Sequence, residues 1–158
     1  MTRRPFLALL SALGLAPTLA SAQTPGASKI EPLKLSDAEW KQRLAPAAYD
    51  VLRHEGTEYP GTSPLNNEHR KGQFFCAGCD LALFTSQTKF ESGTGWPSFY
   101  AAIPGAVATK TDVKMIIPRT EYHCVKCGGH QGHIFNDGPA PTGKRYCNNG
   151  VALKFVAA

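Results

Sequence analysis

The sequence predicts a mainly β domain preceded by two or three short helices. Three observations carry this. Fifteen Gly and twelve Pro in 158 residues argue against a helical bundle. After Gly72 the chain breaks into short runs rich in β-branched and aromatic residues, separated by Gly, Pro, Asn or Asp. Two CxxC pairs stand 44 residues apart, a spacing that a β domain can bring together. The length suits one domain, and a 42% hydrophobic content suffices for a core. No period of 20–50 residues marks a repeat.

The first segment reads as an address. Residues 1–22, MTRRPFLALLSALGLAPTLASA, join Arg3 and Arg4 to an apolar run from Phe6 to Leu15 and a small-x-small site at Ala20-Ser21-Ala22. This is the form of a signal peptide, and TRRPFL resembles a twin-arginine export signal. Delivery to a bacterial periplasm or the exterior is expected. The run is too short and interrupted to span a membrane, and no later stretch reaches 18 apolar residues. No cysteine near the cleavage site suggests a lipid anchor. Residues 23–35 are polar with two prolines and read as a flexible lead-in. The domain proper is 36–158. Setting the leader aside lowers the formal charge from +5 to +3. Lys and Arg are scattered singly and no Gly-rich phosphate loop occurs, so a nucleic-acid partner is not expected.

Ser36-Asp37-Ala38-Glu39 is a capping box, and a short helix through Trp40 and Leu44 should follow it. Pro46 and Gly56 bracket a second helix, Ala47 to Glu55. Asn67 to Lys71 is expected to add a turn. The predicted strands are Gln73–Cys76, Leu81–Phe84, Val113–Ile117, Tyr122–Cys124, His133–Phe135 and Val151–Val156.

Five cysteines divide into four and one. Cys76, Cys79, Cys124 and Cys127 form two knuckles with the spacing of a tetrahedral zinc site. Gly78, Gly128 and Gly129 ease the tight backbone there. Two disulfides are the competing reading, since export would oxidise thiols. A bond within a CxxC is strained, whereas cross-pairing is open. A zinc held by four thiolates would be closed and structural.

Cys147, in GKRYCNN, is left over: a nucleophile, or an inert buried thiol. Arg145 beside it would favour a thiolate. His130 and His133 follow the second knuckle. Their spacing sends them to opposite faces of a regular strand, unless a bend at Gly132 makes them converge. One facing Cys147 would serve as a proton donor; otherwise each simply satisfies backbone groups. In GTGWPSF, Trp96 lies between a Gly-rich turn and a rigid proline, which presents an aromatic face to a pocket or to the core.

CAGC, SGTGWPSF, HCVKCGGHQGHIFNDGPAPTGKRYCNN and ALKF, in this order, resemble the methionine-R-sulfoxide reductase (MsrB) family, from about Asp37 to Phe155. The resemblance implies two antiparallel β-sheets with short helices at the N-terminal end. It implies that Cys76, Cys79, Cys124 and Cys127 bind one structural Zn2+ and that Cys147 is the catalytic cysteine. It implies that His133 helps bind and protonate the sulfoxide oxygen, and that Trp96 packs on the S-methyl group. His130, Asn149 and Phe135 would complete the pocket.

The activity implied is reduction of methionine-R-sulfoxide, free or in oxidised proteins, by a monomer. Many members carry a second, resolving cysteine where this chain has Thr94. The expected cycle therefore ends in a Cys147 sulfenic acid reset by a thioredoxin-like protein or a small thiol, with a zinc-knuckle cysteine as the competing resolver. The rival class is a non-catalytic zinc-stapled β-module binding a protein partner. A zinc-ribbon nucleic-acid binder is disfavoured by the low charge and the leader.

Overall fold

The computed structural model describes residues 30–158. The expected signal peptide, and the lead-in up to residue 29, lie outside the described residues. Residues 30–35 take no regular secondary structure. The Leu33 N–H donates to the Lys126 carbonyl at 2.6 Å, and Leu33 and Leu35 pack against the core.

The capping box forms as read. Helix α1 (Asp37–Arg43) opens with Ser36 N–H donating to Glu39 Oε2 at 2.7 Å, while Ser36 Oγ accepts from Glu39 N–H at 3.4 Å. Helix α2 (Pro46–His54) starts on its proline and ends at Glu55, which takes a left-handed φ of 58°. The turn expected at Asn67–Lys71 instead falls at Pro64–Asn67, because Ser63 caps it through Leu65 N–H.

Nine strands follow among the described residues: β1 (Gly72–Cys76), β2 (Ala82–Thr85), β3 (Lys89–Phe90), β4 (Ser98–Phe99), β5 (Val107–Asp112), β6 (Arg119–Cys124), β7 (His130–Phe135), β8 (Arg145–Asn148) and β9 (Leu153–Ala157). They build two antiparallel sheets, ordered β2-β1-β9 and β3-β4-β8-β7-β6-β5. The mainly β class with two sheets and short helices is therefore what the chain adopts.

Aromatic rings fill the space between the sheets. Phe74 and Phe84 from the small sheet meet Phe99 from the large one, with ring centroids at 4.9 and 4.1 Å. All three rings, and Tyr122, are fully buried. Such pairs contribute on the order of 1 kcal/mol each beyond area burial.

One expected strand is displaced. Val113–Ile117 is not a strand; it lies within the β5–β6 connection, and its apolar side chains are exposed. The chain has to turn there, and Asp112 Oδ1 accepts from Lys114 N–H at 2.9 Å to start the turn. The true strand, VATKTD, was hidden because β5 is an edge strand with three consecutive exposed residues and no apolar run. β3, β4 and β8 are likewise absent from the predicted strands; β3 and β4 are only two residues long. The RYCN of β8 carries no polar–apolar alternation, although the strand is an inner one paired with both β4 and β7.

Candidate active site

The two knuckles close by the same device. Asp80 N–H donates to the Cys76 carbonyl at 3.0 Å, and Gly128 N–H to the Cys124 carbonyl at 2.8 Å. Asp80 and Gly128 both adopt left-handed φ, 58° and 68°. In the first knuckle the tight position thus falls on Asp80 rather than Gly78. The four sulfurs lie within 4.8 Å of one another and all four cysteines are buried. Sγ–Sγ distances of 3.6 Å (Cys76–Cys127) and 3.4 Å (Cys79–Cys124) are far too long for disulfides. They approach the edge of about 3.8 Å that four sulfurs about 2.3 Å from one ion require. The donor set therefore fits a tetrahedral metal ion. Basic side chains surround it: Arg43, Arg53 and Lys126 donate to the carbonyls of Gly78, Cys127 and Cys79. Cys76 ends β1 of the small sheet and Cys124 ends β6 of the large one, so an ion there ties the sheets together.

Cys147 lies in the middle of the large sheet. Its Cα partners are Ser98 on β4 and His133 on β7. A cavity of ≈ 120 Å³ opens at this point, lined by Thr57, Trp96, Arg119, Gly132, His133, Phe135, Cys147, Asn148 and Asn149. Five of the sequence-predicted residues therefore share one wall-to-wall space. His130 is not among them.

The two histidines do converge, by a device other than the one expected. Across β6–β7, Tyr122 pairs with Gly132 and His123 with His130, so Gln131 is an extra, bulged residue. The bulge restores His130 and His133 to one side, with ring centroids 5.4 Å apart. Gly132 serves a different need. A Cβ there would lie 1.9 Å from the Cys147 carbonyl oxygen, so only glycine lets β8 approach this closely.

His133 Nε2 hydrogen-bonds Asp112 Oδ2 at 2.7 Å, and Arg119 Nη2 donates to the same oxygen at 2.7 Å. Desolvation pushes the His133 pKa below its ordinary value, although the Asp112 hydrogen bond pulls it up. Asp112 is held well below the carboxylate range, chiefly by Lys114 N–H and by His133. His130 sits behind His133, 2% exposed, with Nδ1 bonded to Glu121 Oε1 at 2.7 Å. Glu121 is 1% exposed and also bonds His123 Nδ1 at 3.0 Å. Among the described residues His130 Nε2 is buried without a partner.

Burial pushes the Cys147 thiol above its ordinary pKa; the Arg145 charge and the Thr94 hydroxyl pull the other way. Arg145 is fixed by a two-pronged bond to Asp137 at 2.8 Å on each arm, and its guanidinium lies 4.3 Å over the Phe135 ring. The Trp96 indole N–H donates to the Glu58 carbonyl at 3.0 Å. Asn149 spends its amide on backbone, accepting from Glu58 N–H at 2.9 Å and donating to the Gln131 carbonyl at 3.0 Å. Gln131 Nε2 in turn donates to Cys76 Sγ at 3.4 Å, so one buried side chain spans from the cysteine cluster to the cavity strands.

Sequence reasoning missed Thr57, Glu58, Asp112, Arg119 and Glu121. Arg119, Glu121 and His123 alternate with Thr120, Tyr122 and Cys124 along β6. Charges at period 2 on one face of an inner strand were the available signal. No pattern marked Thr57, Glu58 or Asp112, which lie on a loop and an edge.

The sequence matches the SelR domain model over residues 44–157. It is 50% identical over 121 residues to the peptide methionine sulfoxide reductase MsrB of Agrobacterium fabrum, covering 76% of this chain and 90% of that protein. The MsrB of Leptospira interrogans is 51% identical over 121 residues, covering 76% and 92%. The chloroplastic peptide methionine sulfoxide reductase B1 of Arabidopsis thaliana is 50% identical over 132 residues, covering 83% and 65%. With a match of this extent lying over the cavity strands and all five cysteines, the chain belongs to the methionine-R-sulfoxide reductase (MsrB) family.

Proposed function

We infer that the protein is a peptide-methionine (R)-S-oxide reductase. The observation that carries this is the pairing of Cys147 with His133 directly across β8–β7, inside a small cavity that Trp96 and Phe135 also line. A sulfoxide sulfur becomes electrophilic once its oxygen gains a proton. The Cys147 thiolate attacks sulfur while His133, through the ring nitrogen not bonded to Asp112, assists protonation of the oxygen. The attack forms a bond between Cys147 Sγ and the substrate sulfur; the protonated oxygen then moves to Cys147 Sγ as the S–O bond and that new S–S bond both break, so that Cys147 is left as a sulfenic acid and methionine leaves. Two external thiols then return Cys147 to the thiol, releasing water and a disulfide. The indole of Trp96 and the ring of Phe135 receive the S-methyl group. Oxygen, methyl and side-chain arm in distinct subsites select one epimer.

The reductant is an external thiol, thioredoxin-like or small, because all four other cysteines belong to the cluster. The metal there is zinc, held by Cys76, Cys79, Cys124 and Cys127; bound, it fixes the two sheets and performs no chemistry on substrate. The enzyme acts as an exported monomer, directed by residues 1–22. Fusing residues 1–35 to a reporter active only when exported folded, then changing Arg3 and Arg4 to lysine, tests that route.

The non-catalytic β-module is not favoured, since a binding surface needs no thiol opposed by an imidazole. The deciding experiment assays the parent and Cys147→Ser on each epimer of N-acetyl-methionine sulfoxide with dithiothreitol. Turnover of the R epimer by the parent alone is expected. Retained turnover in the variant removes Cys147 as nucleophile, and activity restricted to the S epimer defeats the reading.

A further inference from the structure

Six large apolar side chains stand exposed among the described residues: Tyr59, Val113, Met115, Ile116, Ile117 and Val156. Five of these belong to two segments that also build the cavity. Val113 to Ile117 lie in the β5–β6 connection. Of its two ends, Asp112 holds His133, and Arg119 bonds Asp112 and walls the cavity. Tyr59 follows Thr57, which lines the cavity, and Glu58, whose carbonyl holds the Trp96 indole. Exposed apolar residues on a soluble protein are ordinarily scattered singly, and a cluster marks a contact surface.

The apolar loop is pinned in this pose. Lys114 donates its backbone N–H to Asp112 at 2.9 Å and its ammonium to Glu55 Oε2 at 2.6 Å. Ile116 nevertheless remains 102% exposed. The cavity itself is small, ≈ 120 Å³, and suits a side chain rather than a stretch of polypeptide backbone. A methionine sulfoxide within a polypeptide therefore leaves its backbone and neighbouring residues outside, next to the two segments that give Thr57 and Arg119 to the cavity wall. A second depression of ≈ 440 Å³ shares Thr57 with the cavity and is bordered by Val51, Tyr59, Pro64 and Val151, which continues the apolar path away from the cavity.

We propose that Val113–Ile117 and Tyr59 form a docking rim for apolar residues flanking methionine sulfoxide in an extended polypeptide. The proposal rests on the sulfoxide-reductase reading and adds which substrates that site prefers. Partial burial of one exposed isoleucine against a flanking residue is worth roughly tenfold in affinity.

The test uses the full chain with its metal and dithiothreitol as reductant. Substrates are N-acetyl-methionine-R-sulfoxide and two heptapeptides with a central methionine-R-sulfoxide, one flanked by Leu and Val, the other by Ser and Gly. The readout is the ratio of kcat/KM for the two peptides within each protein, which cancels effects on the shared chemistry. The parent is expected to favour the Leu/Val peptide about tenfold, mainly through KM. The double variant Ile116→Ser/Ile117→Ser, and separately Tyr59→Ser, are expected to lose most of that ratio. These side chains are solvent-exposed, so the variants should fold.

A parent ratio near one, or variants that keep the parent ratio, overturns the rim. Absence of turnover on every substrate, N-acetyl-methionine-R-sulfoxide included, overturns the underlying activity instead. A parent that sediments as a dimer split by Ile116→Ser/Ile117→Ser assigns the patch to a second copy of the chain and also overturns the rim.

Discussion

Cys147 and His133 are Cα partners on neighbouring antiparallel strands, so their side chains rise from the same face of the sheet. Side chains directly opposed in this way stand about 5 Å apart at Cβ, close enough for both to reach one substrate group. Asp112 fixes the imidazole from behind through Nε2 at 2.7 Å.

His133→Asn should therefore lower kcat on N-acetyl-methionine-R-sulfoxide by about 10²–10⁴, the range of a positioned proton donor. Asp112→Asn should cost less, since the ring stays opposite Cys147 but loses its anchor. Steady-state kinetics with dithiothreitol separates the two. Equal losses would mean that Asp112 does more than orient the ring.

Arg145→Met should make Cys147 less reactive at neutral pH. Burial already raises the thiol pKa, and the Arg145 charge is the leading influence opposing it. Removing that charge also frees Asp137, whose own charge raises the pKa further. Only the thiolate is alkylated, so the pH midpoint for iodoacetamide labelling should move upward. The labelling rate at pH 7 should fall accordingly, read by mass spectrometry. A downward shift would contradict the electrostatic role of Arg145.

Loss of the metal should separate the sheets. Cys79→Ser is expected to reduce bound zinc from one to zero per chain, read by elemental analysis, and to lower Tm by more than about 10 °C. Activity should fall with it, because the Gln131 side chain donates to Cys76 Sγ and accepts from the amide of Asn148, the residue after Cys147. Gln131→Leu should keep the metal yet lower kcat severalfold.

Thr94→Cys should install an internal resolver. The Thr94 hydroxyl already acts on the Cys147 thiol. One turnover without reductant should leave the parent with a sulfenic acid, 16 Da heavier, and the variant with a disulfide between the introduced thiol and Cys147. Mass spectrometry after tryptic digestion reads both. A disulfide from Cys147 to a knuckle cysteine in the parent would sink the external-reductant cycle.

Local chemistry was legible in the chain. Ser36 to Glu39 announced α1, Pro46 announced α2, and the cysteine spacing announced a metal-binding cluster separate from Cys147. Each of those signals acts over a few residues, where side chain and backbone are neighbours by covalent necessity. The reading slipped where solvent or the sheet partner decides. Val113–Ile117 looked like a strand because apolar residues usually seek cover, yet the connection leaves them in water. VATKTD carries no apolar run to announce a strand, because Thr109, Lys110 and Thr111 are all exposed.

The sequence by itself determined which groups are available: four cysteines in two knuckles, a fifth apart from them, two histidines three residues apart, and a tryptophan in a Gly-rich turn. Only the tertiary structure decided how they meet. Convergence of His130 with His133 depends on the Gln131 bulge, and the support of His133 depends on Asp112 from an edge strand 21 residues away. Strand register is set by how the two sheets bury Phe74, Phe84, Phe99 and Tyr122 together. That burial is a property of the whole core, and no single stretch of the chain encodes it.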